Sequence, residues 1–363
     1  MMYYVVAVLL SMICASYAAN VKKVKSLQGT YRTLCVLAFL PMTFVSVFRY
    51  EVGTDWPIYD EYFHKIDAGI DKFTEPGFNL LNKVISVFTK DSWWLFAACA
   101  LIIGVFMFKA IMDQSVNPAF SILVYVLAGD YFNSQNQLRQ AIAMSIFLYA
   151  FKYVKARDWK RYFFWMLIAS TIHLSAVLYF PVYFLYGVKV CVPVICYSFA
   201  GLCVLLPVLK KLLVFVVSKT KYSWYFDSAY YASNFNLVGF LVSLGFLVLL
   251  LFYYAYYDKH SKLSGENGEG VQDKEYNLLL YIYFAATIST LFSSAIPQMS
   301  RITILFSFVT SLLFPRMVMR EHRRNRRIVL YMIVVGVLAV KFLYEVCYVG
   351  WYDAVPFKWV FFR

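Results

Sequence analysis

The chain has 363 residues, of which 62% are hydrophobic and only 15% are charged, and its mean hydropathy is +0.63. Apolar segments of about 18 or more residues recur along it, which excludes an assembly of water-soluble domains and indicates a polytopic helical membrane protein. At about 20 residues per span, we expect an all-α fold with about 10–11 transmembrane helices, which could be GT-C-like, in a single membrane domain covering residues 1–363.

The formal charge of +14 would suit a nucleic-acid ligand, but its distribution argues against one. The basic residues are concentrated in short loops between apolar segments, as the positive-inside rule describes. We therefore expect no nucleic-acid partner and place residues 258–275 and 320–327 in the cytoplasm. The clustered basic residues are Lys22, Lys23, Lys25, Arg32, Lys152, Lys155, Arg157, Lys160, Arg161, Arg320, Arg323, Arg324, Arg326 and Arg327.

The N-terminal half begins with an apolar helix, Met1 to Ala19, whose charges follow it, so it is predicted to be retained rather than cleaved. A second span covers Thr33 to Phe48. The polar stretch from residue 49 to residue 91 then lies outside, as an extracytoplasmic loop. Within it, the apolar spacing of Glu75 to Phe88 predicts an amphipathic helix on the bilayer surface.

The next spans are Ser92 to Ile111, Ala119 to Phe132 and Leu138 to Tyr153. The polar stretch NSQNQLRQ, residues 133–140, is predicted to be an outer turn. All seven cysteines lie in apolar runs without a CxxC pair, so they are interpreted as small buried hydrophobic residues rather than a disulfide framework or zinc site.

The predicted crossings place the hydrophilic and basic loops of the second half on the wrong side of the membrane, unless the chain reverses direction once more near its middle. One solution is a break near His173, which divides residues 162–186 into two short helices of a re-entrant hairpin. The alternative is a hairpin within residues 190–217, helped by Gly201 and Pro207. We favour the break near His173.

The remaining chain alternates between predicted spans and loops. Residues 219–236 and the turn at residues 297–300 are placed outside, and the C-terminal tail also ends outside. The predicted spans in this part are 189–208, 237–257, 276–296, 301–319 and 328–349.

Three arginines, Arg49, Arg139 and Arg301, fall at outer helix ends in this topology. A guanidinium is always charged and offers a rigid donor fork that fits phosphate. Snorkelling to the interface explains many single arginines, but three on one side of the membrane favour an anion site. A diphosphate with about two to three negative charges would need several such forks near lipid.

Other polar residues offer proton chemistry. His173 lies in an apolar run and at the predicted break, where it is either a satisfied core histidine or a proton-handling group. Asp55 and Glu75 lie in turns next to Trp56-Pro57 and Pro76-Gly77, so each is a candidate general base for attack by a sugar hydroxyl. Aromatic residues near these loops could stack on sugars or form ordinary interface belts.

Several catalytic signatures are absent from the sequence. It contains no P-loop, no Rossmann glycine pattern, no HExxH and no GxSxG. It also lacks a DxD-type acidic pair for a metal-bound nucleotide sugar. We therefore expect neither a metal nor another cofactor.

The order and spacing of six segments resemble the EpsG family of Wzy-like polysaccharide polymerases. The segments are RYEVGTDWPIY, EPGFNLL, NQLRQAIAMSIF, KARDWKRY, ASTIHLSAVLYFPVYFL and PQMSRITILF. The resemblance extends from the second to the tenth predicted span. Trp56 departs from it, because the family often has tyrosine or phenylalanine there.

This resemblance implies a multi-pass enzyme of the bacterial cytoplasmic (inner) membrane that acts on the outer side. It would polymerise oligosaccharide repeat units of O-antigen, capsule or exopolysaccharide, carried on undecaprenyl diphosphate, by glycosyl transfer without nucleotide or metal. Its partners would be this lipid-linked oligosaccharide, membrane lipid and a chain-length regulator.

The resemblance also implies roles for particular residues. Arg139 and Arg301 would hold the diphosphate leaving group and Arg49 would assist. His173 would support the site, and Asp55 or Glu75 would act as the base or contact the acceptor. The neighbouring residues predicted to contact substrate are Trp56, Tyr59, Asn136 and Gln140.

Three other functions remain open. A lipid-linked oligosaccharide flippase also needs cationic groups, but within the bundle and reachable from both sides. A membrane O-acyltransferase would use His173 as its base, with a cytosolic acyl donor and incidental arginines. A purely structural subunit is the third alternative.

Overall fold

The computed structural model describes residues 1–70, 73, 75–220, 223, 237–263, 273–293 and 299–363. Over these residues the secondary structure is helical apart from one isolated β-bridge, which confirms the all-α fold. The α-helices are α1 Met2–Val21, α2 Gln28–Val47, α3 Trp56–Asp67, α4 Pro76–Phe88, α5 Trp93–Gln114, α6 Pro118–Leu127, α7 Asp130–Asn136, α8 Leu138–Lys155, α9 Trp159–Ile172, α10 Val192–Ser218, α11 Leu237–Leu263, α12 Lys274–Phe292, α13 Met299–Ser307, α14 Thr310–Arg320 and α15 Arg324–Phe342.

Six helices in the described residues are long and apolar enough to cross a membrane, or up to seven if α13 and α14 form one broken span. They are α1, α2, α5, α10, α11 and α15, and they make the chain a multi-pass membrane protein. The number is smaller than the predicted 10–11. Some predicted spans are short, as in α6 and α9, and others are long enough but less apolar, as in α8 and α12.

The chain divides into two compact units, Met1–Phe184 with Thr310–Arg363, and Leu185–Val309. In the first unit, α8 is the central helix and packs against α5, α7 and α9. The Gln114 side chain ties α5 to α8, because its amide nitrogen donates to the Leu148 carbonyl at 2.7 Å. In the second unit, α12 packs against α10, α11 and α13. The predicted single membrane domain stays a prediction.

The chain between α6 and α8 differs from the sequence-based expectation. Residues 133–140 were predicted to form an outer turn, but Asp130–Asn136 forms the short helix α7 and every one of its residues is buried. Gly129, with φ of +88°, reverses the chain between α6 and α7. The predicted turn is wrong, because the loop after α2 and the C-terminal segment contact α7 and satisfy part of its polar surface, whereas its location on the outer side stays a prediction.

The C-terminal segment, residues 350–363, folds back onto the loop after α2. Its backbone pairs with that loop, since the Tyr50 amide donates to the Lys358 carbonyl at 2.9 Å and the Val360 amide donates to the Phe48 carbonyl at 3.0 Å. The Gly53 amide also donates to the Asp353 carbonyl at 3.1 Å. Within the first unit, the C-terminal segment is therefore held against the loop after α2.

The predicted break at His173 is confirmed. Helix α9 ends at Ile172, His173 is extended with φ of −151° and ψ of 117°, and a 3-10 helix, Leu174–Leu185, follows. This segment folds back along α9, because the Tyr162 hydroxyl donates to the Tyr179 carbonyl at 2.7 Å. The alternative hairpin does not form, since α10 runs unbroken through Pro207.

Helix α4, Pro76–Phe88, confirms that the stretch from Glu75 to Phe88 is helical. Its buried face carries Phe78, Asn82 and Ser86, whereas Phe88 is 83% exposed and Val87 is 79% exposed. Exposed apolar side chains such as these are suited to contact with lipid. Its predicted position on the bilayer surface stays a prediction.

Candidate functional site

Glu75 joins two other candidate residues into a cluster. Its side chain is 8% exposed; the Oε2 atom accepts a hydrogen bond from Arg139 Nη1 at 2.8 Å. The other oxygen, Oε1, lies 3.4 Å from His173 Nδ1 and accepts the Leu174 amide hydrogen at 3.4 Å. We call Glu75, Arg139 and His173 the Glu75 cluster. Three residues predicted separately are thus neighbours.

Three elements position the cluster. Glu75 immediately precedes α4, where Pro76 occupies the first helical turn, and Arg139 is the second residue of α8. His173 is presented by the break after α9, where the extended backbone turns its side chain out of the helical path. The 3-10 helix that follows contributes the Leu174 amide. The cluster therefore depends on the break that the sequence predicted.

Gly77 allows α4 to approach the end of α9. A Cβ atom at this position would lie 2.4 Å from Thr171 Oγ1 and 2.9 Å from the Thr171 carbonyl oxygen. Such distances are too short for any side chain, so only glycine fits between the two backbones. This close approach brings Glu75 and His173 together.

Aromatic rings surround Arg139 on the side of the outer loop. Its guanidinium carbon lies 4.3 Å from the centre of the Phe73 ring and 6.0 Å from that of Phe78. Cation–π contact with these rings holds the guanidinium in place. Tyr59 also interacts with Arg139; burial raises the pKa of Tyr59, and the positive charge of Arg139 opposes this increase.

Part of the hydrogen-bonding capacity of Arg139 is unused by the described residues. The side chain is 19% exposed, and its Nε atom has no hydrogen-bond partner in the described part of the chain. His173, whose side chain is 16% exposed, likewise has Nδ1 near Glu75 without a well-aligned hydrogen bond among these residues. Both nitrogens are therefore buried without a hydrogen-bond partner among the described residues.

Arg49 lies in a different environment. It is 1% exposed, and its Nη1 atom donates to the carbonyl oxygens of Gln135 at 2.7 Å and Val52 at 3.2 Å. Burial lowers the pKa of Arg49 to about 10, which leaves it charged at neutral pH. The side chain fastens the loop after α2 to α7, and its predicted contact with diphosphate stays a prediction.

Asn136 organises the same loop around Asp55. Its Oδ1 atom accepts hydrogen bonds from Thr54 Oγ1 at 3.0 Å and from the Asp55 amide at 3.4 Å. Its Nδ2 atom donates to the Tyr352 carbonyl at 3.2 Å. Asp55 is half-buried at the start of α3, and its charge acts on Tyr59, the residue that also interacts with Arg139. Asp55 and Arg139 therefore both act electrostatically on Tyr59.

Trp56, Tyr59 and Gln140 are buried in the same region. The Trp56 ring stacks on Phe96, with ring centres 3.5 Å apart and planes inclined by 6°. Arg49 lies near the same indole, 5.7 Å from its centre. These contacts give Trp56 a packing role, and the predicted roles of all three residues in substrate binding stay predictions.

Arg301 belongs to the second compact unit and is half-buried in α13. The Pro-Gln pair of its predicted outer turn, at residues 297 and 298, lies outside the described residues, as do most of residues 219–236 and the centre of the 258–275 loop. The predicted role of Arg301 with the diphosphate stays a prediction.

Sequence reasoning missed several residues that hold the site in place. Gln135 anchors Arg49, Phe73 packs against Arg139, and Thr171 meets Gly77. Residue type alone carries no signal for these roles, since each depends on a partner far away along the chain. Among the described residues, no group of three or more His, Cys, Asp or Glu side chains is placed to hold a metal ion.

Of three comparisons with known proteins, the one with family models finds a match. No curated protein and no solved structure matches the chain, so a GT-C-like architecture stays a prediction. A family model described as the EpsG family matches residues 32–359, which is most of the chain. The family is associated with a polysaccharide polymerase type of function, and its match includes every residue of the Glu75 cluster. The chain belongs to the EpsG family.

Proposed function

We propose that this protein polymerises undecaprenyl-diphosphate-linked oligosaccharide repeat units on the outer side of the bacterial cytoplasmic membrane. The growing glycan is transferred from its lipid diphosphate to the terminal sugar of a new unit. A chain-length regulator is proposed as a partner. The observation that carries the proposal is Glu75, a candidate base held between the anion-binding group Arg139 and the proton-handling group His173.

The reaction forms one bond and breaks another at the anomeric carbon. The acceptor hydroxyl oxygen bonds to this carbon, and the bond from the carbon to the diphosphate oxygen breaks. The hydroxyl proton passes to Glu75, and His173 beside Oε1 can share it. Because the lipid diphosphate is an activated leaving group, the transfer needs neither nucleotide nor metal.

Arg139 stabilises the negative charge that develops on the departing diphosphate. Its guanidinium is held by Glu75 and the Phe73 ring, so it is oriented before the substrate arrives. A diphosphate that binds Arg139 competes with Glu75 for the same donors. This competition frees the carboxylate to accept a proton as the donor substrate binds.

Replacing Arg139 by alanine tests the proposal. With a purified lipid-linked repeat unit and purified enzyme, we expect the elongation rate to fall about a hundredfold, because one preorganised donor to the leaving group is lost. Cells carrying the variant should make single capped repeat units. The matched control is Arg161→Ala, which removes an exposed arginine and should leave elongation unchanged.

The same variant separates the other functions. Loss of a flippase would accumulate lipid-linked units on the cytoplasmic leaflet. Loss of an O-acyltransferase would give polymer of full length without acyl groups. Unchanged polymer length in the Arg139→Ala variant would contradict the proposed role of this residue.

A further inference from the structure

A polar cavity of about 550 Å³ lies beside α3 in the first unit. Its wall includes Trp56, Asp60 and His64 from α3, Asp91 and Ser92 from the start of α5, and Lys358 from the C-terminal segment. We call it the α3 pocket. Its volume falls within the range of about 300–1,000 Å³ that is typical of small-ligand sites.

Several charged side chains in the wall of the α3 pocket have a polar neighbour. Asp60 accepts a hydrogen bond from Ser92 and lies 3.7 Å from His64. Lys358 pairs with Glu51 at 3.0 Å, and Asp91 pairs with Arg363 at 2.5 Å. The wall carries four carboxylates, Glu51, Asp60, Asp91 and Asp353, against the two lysines Lys90 and Lys358, so it does not favour a free anion.

Sugar hydroxyls match this arrangement, because each hydroxyl both donates and accepts hydrogen bonds. The carboxylates of Asp60 and Asp91 can accept hydrogen bonds from such a ligand, and Lys358 can donate one. The pocket wall also includes the aromatic residues Tyr50 and Trp56, which suit the apolar faces of sugar rings. The chemistry therefore favours a hydroxyl-rich ligand over a lipid chain or a free anion.

Helix α3 connects the pocket to the Glu75 cluster. Asp60, in the pocket wall, directly follows Tyr59, which interacts with Arg139. Trp56, one turn earlier on the helix, also lines the pocket. Because consecutive residues of a helix are about 100° apart, a saccharide held there would lie on a face of α3 adjacent to the one that carries Tyr59.

We propose that the α3 pocket binds the saccharide part of the lipid-linked substrate. This inference rests on the proposed function, since it identifies where the polymerase holds its sugars. Either the acceptor unit or the donor chain presents this hydroxyl chemistry, and kinetic measurements distinguish the two.

The direct test is saccharide binding by the full-length protein in lipid nanodiscs. The probe is the oligosaccharide released by mild acid from the lipid-linked fraction of the native cells, and saturation-transfer NMR measures its affinity. Asp60→Asn and Lys358→Gln should each weaken binding about tenfold, the effect of losing a hydrogen bond to a charged group. The matched controls are Glu61→Gln and Lys65→Gln, which change an exposed ion pair of α3 outside the pocket wall.

Arg139→Ala should bind the free saccharide like the wild-type protein, because the probe lacks the diphosphate. In elongation assays, the pocket variants should raise KM about tenfold for whichever substrate occupies the pocket, with kcat retained. An increase for the incoming unit assigns the pocket to the acceptor, and an increase for the growing chain assigns it to the donor.

Wild-type affinity in both pocket variants would overturn the inference, and so would failure of the wild-type protein to bind the saccharide. The proposed function fails in a different way. In that case the wild-type protein would bind the saccharide, and the pocket variants would weaken this binding. The wild-type protein would nevertheless not elongate lipid-linked units.

Discussion

Glu75 is a buried carboxylate that lies beside Arg139 and His173. A buried charge is tolerated only when partners compensate for its lost hydration, and Arg139 at 2.8 Å provides that compensation. Removing one member of such a pair is more costly than replacing both, because the other charge is left uncompensated. We therefore expect a substitution that keeps the shape of Glu75 but removes its charge to affect the protein, because Arg139 would lose its compensating charge.

Glu75→Gln keeps the size of the side chain and removes its charge. We expect the elongation rate to fall by roughly 10²–10⁴-fold, the usual contribution of a positioned general base. The measurement is turnover per folded molecule, with Glu61→Gln as the exposed control on α3. If Glu75 were only structural, the variant would lower the thermal midpoint but keep wild-type turnover per folded molecule.

The contact between α4 and α9 sets the geometry of the cluster. Helix α4 carries Glu75 at its start and α9 carries His173 at its end, so a small separation of the two helices moves the two side chains apart. Gly77 lies at the point of closest approach to Thr171. Helix packing at this point is therefore linked to the chemistry.

Gly77→Ala tests this link. The new methyl group meets the Thr171 backbone, so the helices must separate, at a cost of about 1–3 kcal/mol from overpacking. We expect the thermal midpoint of the purified protein to fall by several degrees and elongation to decline with it. Gly29→Ala is the control, because a Cβ there meets no described atom within 4 Å. Equal stability of the two variants would contradict a tight contact between α4 and α9.

The basic segments predict how the chain is oriented in the membrane. The end of α8, the start of α9 and the short loop between them carry Lys155, Arg157, Lys160 and Arg161, whereas the region with α3 and α4 is rich in acidic residues. The positive-inside rule then places the α8–α9 loop in the cytoplasm and α3 outside. The proposed reaction requires this orientation, because both the diphosphate and its glycan are presented on the outer leaflet.

Labelling of single cysteines measures the orientation. In a background without native cysteines, Glu61→Cys on α3 should react with a membrane-impermeant maleimide in intact cells. Arg161→Cys should react only after lysis. Both side chains are well exposed, at 61% and 70%, so lack of access cannot explain a negative result. Labelling of Arg161→Cys in intact cells would place the cluster on the wrong side for the proposed reaction.

Local patterns were sufficient to predict the all-α fold and several of its helices. Long apolar runs defined α1, α2 and α5, and the break at His173 followed from counting crossings and charges. The acidic and basic candidates Glu75, Arg139 and His173 were all chosen from their residue types and positions. These features depend on hydrophobicity, charge and helical period, which neighbouring residues specify.

Contacts between distant segments were not visible in the sequence. Glu75 and Arg139 are 64 residues apart, and nothing in either segment identifies the other as its partner. The sequence of α7 predicts a polar turn, but the structure has a helix there that contacts the C-terminal segment and the loop after α2 and is buried. Packing in three dimensions decides which polar groups are covered and which remain available, because burial depends on segments that the local sequence does not specify.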